Sequence, residues 1–129
     1  MQQNCYIVTI GSNDNAEANV KAVKRLLQQQ FTNILFAPFC WTQPTGNHYN
    51  LPFYNGAVRF SSSLLQSELK MQLKEMEAQL GRTTDMKALG IVPIDLDIIT
   101  CNNQIVHPDY NRFPFVKKAV DSLLIVKDK

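Results

Sequence analysis

Two aspartates in the segment PIDLDII are the residues whose type and spacing best suit chemistry. Asp95 and Asp97 lie two positions apart in an otherwise apolar run. In an extended strand such residues project from the same face, so the two carboxylates would lie side by side and repel each other. Magnesium is commonly held by one or two carboxylates together with substrate phosphates. A shared cation is one interpretation, and a solvated face helped by a neighbouring lysine is the other.

The elements that would position this pair follow from the apolar pattern of the chain. Short β-branched and aromatic runs between turn residues predict four strands. These are Cys5–Ile10, Ile34–Trp41, Phe53–Phe60 and Ile94–Thr100. Apolar residues at steps of three and four predict two amphipathic helices, one from Ala16 to Phe31 and one from Leu65 to Leu80.

Turn and cap residues mark the ends of these elements. The three serines from Ser61 to Ser63 are candidate caps for the second helix, and Gly81 stands where a helix-ending glycine is expected. Residues 101–104 predict a hairpin turn into a short strand at Ile105 and Val106, and a last helix is predicted over roughly Pro114 to Ile125. Two segments have no clear period: the polar loop at residues 42–52 and residues 82–92, a candidate lid.

The order β-α-β-β-α-β, followed by a hairpin strand and a helix, predicts an α+β fold. Two split β-α-β halves usually form an antiparallel sheet with both helices on one face, which is the ferredoxin-like arrangement. In such a sheet Ile94, Leu96 and Ile98 face the helices, while Asp95 and Asp97 project from the other face.

Composition bounds the class of protein. The 129 residues suit a single domain over residues 1–129, and 45% hydrophobic with 19% charged residues is typical of globular proteins. A net charge of +2 does not indicate a nucleic-acid partner. The three cysteines form no CxxC pair, and no export signal or membrane span is evident. We therefore expect a cytoplasmic protein with no membrane and no nucleic-acid partner.

Five segments together resemble a known family. They are GSN at 11–13, TQPTG at 42–46, FYNGAV at 53–58, LKEMEAQLGR at 73–82 and IDLDII at 94–99. In this order they resemble 6-hydroxymethyl-7,8-dihydropterin pyrophosphokinase of folate synthesis, over most of the chain. The resemblance implies a ferredoxin-like core, two magnesium ions, and transfer of the β,γ-pyrophosphoryl unit of ATP to the pterin hydroxymethyl group, with AMP as the other product.

The resemblance also implies roles for individual residues, position by position. Asp95 and Asp97 would be the magnesium ligands and, with Arg82, the catalytic residues. The residues expected at the pterin are Thr42, Phe53, Asn55 and Phe115. Those expected at the nucleotide are Glu77, Arg82, Ile98 and His107. The residue types suit these roles, because an amide offers both donor and acceptor to a heterocycle, aromatic rings stack, and a guanidinium forks onto phosphate oxygens.

Each of these positions also has an ordinary structural interpretation. Asn55 and the two phenylalanines would serve packing or turns, and Glu77 would lie on a solvated helix face. Arg82 would be a favourable charge at a helix C-terminus, and His107 would cap a turn.

The sequence departs from the family at four positions. Arginines are usual where Thr84 and Val92 stand, a tryptophan where Leu89 stands, and an aromatic residue is common where Pro108 stands. Three interpretations therefore stay open. They are an active, monomeric enzyme with a divergent lid, a slow or inactive relative that binds pterin or nucleotide, and a ferredoxin-like binding module. For the last, RNA binding is disfavoured because the chain has no RNP1-like pattern.

Overall fold

The computed structural model describes residues 3–43 and 51–126. Most of the predicted polar loop, including Pro44 to Gly46 of one family segment, lies outside the described residues. The elements in chain order are β1 (Asn4–Ser12), α1 (Ala16–Gln30), β2 (Thr32–Phe36), β3 (Cys40–Thr42), β4 (Phe53–Ser62), α2 (Gln66–Gln79), α3 (Thr84–Ala88), β5 (Asp95–Cys101), β6 (Gln104–Ile105), α4 (Asp109–Arg112) and α5 (Pro114–Val126).

The strands form one sheet in the order β2-β4-β1-β5-β6, and β3 pairs with β4 next to β2. Every pairing is antiparallel. The predicted α+β class with an antiparallel sheet is therefore confirmed. In the described residues, no helix is both long enough and apolar enough to traverse a bilayer.

Each face of the sheet has its own core. On the first face, apolar residues of β1, β4 and β5 pack against α1 and α2, with Val20 and Leu27 from α1 and Leu69 and Leu73 from α2 among the buried residues. On the second face, α5 packs against the sheet. The buried residues there include Ile7, Ala57, Ile99, Val116, Val120 and Leu123. The spacing of Val116, Val120 and Leu123 puts one apolar stripe of α5 against the strands.

The alternation predicted for β5 is confirmed. Ile94, Leu96 and Ile98 belong to the core beneath α1 and α2. Asp95 and Asp97 are half-buried and line a cavity on the other face, near α5. The two carboxylates therefore share the face that α1 and α2 leave uncovered.

Two local predictions are wrong. The strand expected over Ile34–Trp41 is divided into β2 and β3, because Pro38 has no N–H to donate to a ladder. The serines do not cap α2, since β4 extends through Ser62 to pair with β1. Glu68 Oε1 instead accepts the N–H of Leu65 at the helix start, at 2.8 Å.

Other turn predictions are confirmed. Gly81 follows Leu80, the C-cap residue of α2, with φ of 97°, a conformation that glycine adopts without cost. Asn102 and Asn103 make the hairpin turn between β5 and β6, both with positive φ. The segment that lacked a period, residues 82–92, contains the short helix α3.

Candidate active site

A cavity of about 510 Å³ opens on the sheet face that α5 partly covers. Its walls come from β1, β3, β4, β5, α5 and the segment after α2. Seven of the residues predicted for the site line it, namely Thr42, Phe53, Asn55, Arg82, Asp95, Asp97 and Phe115. Residues that are distant in sequence are thus gathered around one space.

The register of the central strands determines how these residues are arranged. Gly11 of β1 lies opposite Asn55 of β4 on one side and opposite Asp95 of β5 on the other. Neighbouring strands are about 4.8 Å apart, so the backbones of Asn55 and Asp95 are separated by about 10 Å. In the next row on the same face, Thr9 lies between Ala57 and Asp97. The cavity therefore has an amide on one side and an acid pair on the other.

The amide side of the cavity is well suited to a flat heterocycle. Asn55 Nδ2 donates to Thr42 Oγ1 at 2.6 Å, which restrains the orientation of the carboxamide. A primary amide can donate a second hydrogen bond and accept at its oxygen, so Asn55 can still hydrogen-bond to the edge of a heterocycle. Phe53 from β4 and Phe115 from α5 add aromatic surface to the cavity wall. The ring of Phe115 lies 5.6 Å from the ring of Phe113, centroid to centroid.

The acid side is partly neutralised by an arginine. Arg82 Nη1 donates to Asp95 Oδ1 at 2.7 Å and to the carbonyl oxygen of Ile94 at 3.1 Å. Burial raises the pKa of the Asp97 carboxyl to about 8, and the negative charge of Asp95 and a hydrogen bond between the two carboxyls act in the same direction. Near neutral pH, and without a cation, Asp97 therefore retains a proton.

Glu77 lies beneath the acid pair and not on a solvated helix face. Its side chain is buried, with 5% exposure, and does not line the cavity. Its Oε2 accepts the N–H of Leu96 at 2.8 Å and lies 3.2 Å from Arg82 Nη1. In the described part of the chain, β6 pairs with β5 at Thr100 and Cys101 alone, so Glu77 accepts from β5 at a position where no described strand lies beside it. The solvated interpretation of Glu77 is therefore wrong.

Besides Glu77, two more residues predicted for the nucleotide do not line the cavity. Ile98 is buried in the core under α1 and α2, so only its backbone is available to a ligand on the other face. His107 Nδ1 accepts the N–H of Asp109 at 3.1 Å, which is the turn-capping role considered for it. A neutral histidine with Nδ1 as acceptor carries its proton on Nε2. That nitrogen lies 3.9 Å from Asp97 Oδ1, so His107 presents a donor toward the acid side.

Comparison with protein families gives one match that covers residues 7–124. The matching family model describes 7,8-dihydro-6-hydroxymethylpterin-pyrophosphokinase. The chain belongs to this family. A comparison with curated proteins gave no match.

Three of the four departures from the usual pyrophosphokinase pattern lie in the segment between α2 and β5, and the fourth, Pro108, precedes α4. Thr84 begins α3 and is exposed, and Leu89 follows that helix with 73% exposure. Val92 lies at the end of the segment and is buried. None of these side chains can replace a guanidinium.

Residues of the GSN segment attach that divergent segment to β1. Asn13 Nδ2 donates to the carbonyl oxygen of Gly90 at 2.8 Å, and Asn13 Oδ1 accepts the N–H of Val92 at 2.6 Å. The backbone N–H of Asn13 also donates to the oxygen of Val92, at 2.9 Å. Asn13 thereby holds the chain where it enters the strand that carries the acid pair.

Sequence reasoning missed several residues of the cavity wall. Thr9, Gly11, Asp109 and Lys118 line it but received no role. Gly11 was within a family segment. Thr9 lies two positions before it in β1, and residues two positions apart in a strand face the same side of the sheet. Asp109 could have been noticed through its proximity to His107. Lys118 had no such signal, since it lies on an exposed helix turn.

Proposed function

We propose that the chain transfers the pyrophosphoryl group of ATP to the hydroxymethyl group of 6-hydroxymethyl-7,8-dihydropterin, in a magnesium-dependent reaction that releases AMP. Membership of the pyrophosphokinase family supports the reaction class. The single observation that carries the proposal for this chain is the row Asn55–Gly11–Asp95. The amide of Asn55 on β4 and the acid pair on β5 lie on one cavity floor, with β1 between them.

The donor set fits magnesium. Asp95 and Asp97 are carboxylates on one face, and oxygen ligands are what magnesium prefers. The raised pKa of Asp97 supports the same conclusion, because two carboxylates that cannot both ionise alone can do so beside a cation. Magnesium would supply charge neutralisation for the polyphosphate. The number of ions, two in the family resemblance, is part of the proposal.

The residues of the chain would act mainly by positioning and by offsetting charge. Asn55 and Thr42 would hold the pterin edge while Phe53 and Phe115 cover its faces, which directs the alcohol toward Asp95 and Asp97. Arg82 already lies at the acid pair, where its remaining N–H groups can donate to phosphate oxygens. His107 would add a donor from Nε2. Glu77 would act indirectly, by holding Leu96 and Arg82 in place, and Ile98 through its backbone.

The segment between α2 and β5 supports a slower enzyme as the second candidate. A charge-assisted hydrogen bond contributes roughly 1.5–3 kcal/mol. Each missing guanidinium would therefore cost about one to two orders of magnitude in rate if it acted in the transition state. Thr84, Leu89 and Val92 provide no such contact, so we expect a turnover below that of family members with the usual arginines.

The test is AMP release from ATP, magnesium and hydroxymethyldihydropterin. We expect AMP from the wild-type chain and a loss of about a hundredfold or more in Asp95→Asn and Asp97→Asn, since charge stabilisation by a cation amounts to several kcal/mol. Glu75→Gln, which changes an exposed carboxylate on α2, is the control and should retain the wild-type rate.

Other outcomes of this assay separate the candidates. Pterin or nucleotide binding without AMP would favour the inactive relative. Neither binding nor AMP would favour a plain binding module. Wild-type turnover in both aspartate variants would contradict the metal-site assignment, whatever the overall activity.

The finer features of the architecture are part of the same proposal. The strand order β2-β4-β1-β5, with α1 and α2 on one face, supports a ferredoxin-like core made of these four strands and two helices. We further propose that residues 1–129 form one domain that acts as a cytoplasmic monomer on small molecules, without a nucleic-acid partner.

A further inference from the structure

Gly11 lies at the centre of the cavity floor, between the two groups on which the proposed function depends. Its strand partners are Asn55 and Asp95, and all three line the cavity. Paired residues on antiparallel strands share a face of the sheet. Any side chain at position 11 would therefore project into the space between the amide and the acid pair.

The glycine is needed for space and not for backbone conformation. A Cβ atom at Gly11 would lie 2.8 Å from Asn55 Oδ1 and 3.8 Å from Phe53 Cδ1. The first distance is well inside ordinary van der Waals contact, so the two groups could not both stay in place. The backbone of Gly11 is outside the left-handed region, whereas Gly81 and Gly90 have positive φ. Alanine could thus adopt the backbone at position 11.

The group that a side chain would displace is a carboxamide, and not the sheet itself. Asn55 is restrained on its other side by the 2.6 Å hydrogen bond from Nδ2 to Thr42 Oγ1. If the carboxamide turned away from position 11, that bond would lengthen and the donor and acceptor would point elsewhere. The sheet could accept Gly11→Ala, but the amide could not keep its orientation.

We propose that Gly11 is a positioning and specificity-determining residue for the pterin. Its missing side chain keeps the Asn55 carboxamide in the orientation that Thr42 sets, and lets a flat ring lie across β1 with its alcohol beside Asp95. Gly11 acts through Asn55 and through the open floor, and makes no directed contact of its own. The inference rests on the proposed function, since the ring and the alcohol are those of the proposed substrate.

The test is a double-mutant cycle with Gly11→Ala and Asn55→Ala, read by the dissociation constant for 6-hydroxymethylpterin. When Asn55 is unchanged, we expect Gly11→Ala to weaken the binding of 6-hydroxymethylpterin by about tenfold or more. In the Asn55→Ala background the obstructed group is absent, so the same change should have less than about a twofold effect. Binding of magnesium and a non-hydrolysable ATP analogue should stay within about twofold in every variant.

A second readout needs no ligand. The side-chain amide signals of Asn55, observed by NMR in ¹⁵N-labelled protein, should shift in Gly11→Ala if the carboxamide has moved. Unmoved signals, or equal losses of pterin binding in both backgrounds, would overturn the proposal. If Gly11→Ala fails to fold, recovery of folding in the double variant supports the contact with Asn55, and continued failure overturns it.

The two proposals fail separately. If the wild-type chain binds no pterin and the Asn55 signals shift in Gly11→Ala, the proposed substrate is wrong and the positioning of Asn55 by Gly11 stands. If the wild-type chain binds pterin and releases AMP while the cycle is additive, the proposed function stands and the role of Gly11 is wrong.

Discussion

At the scale of single residues, the site is organised by how each charge is compensated. Asp95 is paired with Arg82, whereas Asp97 is held near Asp95 with a pKa raised by burial. Glu77 and Arg82 lie between α2 and β5, with Glu77 Oε2 3.2 Å from Arg82 Nη1. The chain thus places more acidic than basic side chains at one point, and a bound cation would allow the acidic groups to be ionised together.

The raised pKa of Asp97 makes the stability of the metal-free chain depend on pH. The folded pKa of about 8 lies above the ordinary value of 3.8, so the folded state binds this proton more tightly than the unfolded state. Its contribution to the free energy of unfolding is fully present below about pH 4 and is lost as pH rises toward about 8. We expect Asp97→Asn to flatten this decline in urea denaturation with chelator present.

The control for this prediction is Asp85→Asn, which changes an exposed aspartate on α3. It should reproduce the wild-type profile. Asp97→Asn and wild type should differ little near pH 4 and most near pH 8. Parallel profiles across this range would contradict the assigned behaviour of Asp97.

At the scale of elements, the segment between α2 and β5 is built around one short helix and is attached at both ends, through Arg82 at its start and through Asn13 at its end. Gly81 and Gly90, both with positive φ, flank α3. Asn13 holds the chain after Gly90 through three hydrogen bonds, while residues around α3 are largely exposed. Motion that excludes water from the site would therefore occur before Gly90, leaving the entry into β5 in place.

Asn13→Ala should loosen that attachment. The buried N–H of Val92 would lose its side-chain acceptor, which costs about 1–3 kcal/mol in the free energy of unfolding. Hydrogen–deuterium exchange should accelerate at residues 90–92 and remain unchanged in α1. Asn111→Ala, at an exposed position of α4, is the control and should alter neither quantity. Unchanged exchange in Asn13→Ala would contradict the role of Asn13.

At the scale of the whole molecule, one sheet separates two cores with different tasks. The core under α1 and α2 is the larger and includes the inward residues of β5. The core under α5 is smaller, and α5 also brings Phe115 to the cavity. The position of the cavity wall at Phe115 thus depends on the packing of the last helix.

Leu123→Ala should test that dependence. Leu123 is buried, with 2% exposure, and truncation of a buried leucine costs about 2–5 kcal/mol. We expect lower stability in urea denaturation and weaker pterin binding in the fraction that stays folded. Met71→Ala, on an exposed part of α2, should change both by little. Pterin binding equal to wild type in folded Leu123→Ala would show that α5 does not position the ring.

The sequence determined the elements and which residues of each strand share a face. Apolar periodicity is a local property, so it predicted β1, α1, β4, α2 and β5 and the common direction of Asp95 and Asp97. It failed at Pro38, which has no N–H to donate to a ladder and divides the expected strand. It also failed at the serines after Phe60, where the pairing of β4 with β1 decided the end of the strand.

Only the tertiary structure decided which residues of different strands and helices are neighbours. The sequence does not tell that Gly11 has Asn55 and Asp95 as its neighbours, because register depends on strands that are far apart along the chain. Glu77 has the pattern of an exposed helix residue, yet β5 needed an acceptor for Leu96 where the sheet ends. Strand order and burial depend on the packing of all the elements together, and local patterns of residues do not contain that information.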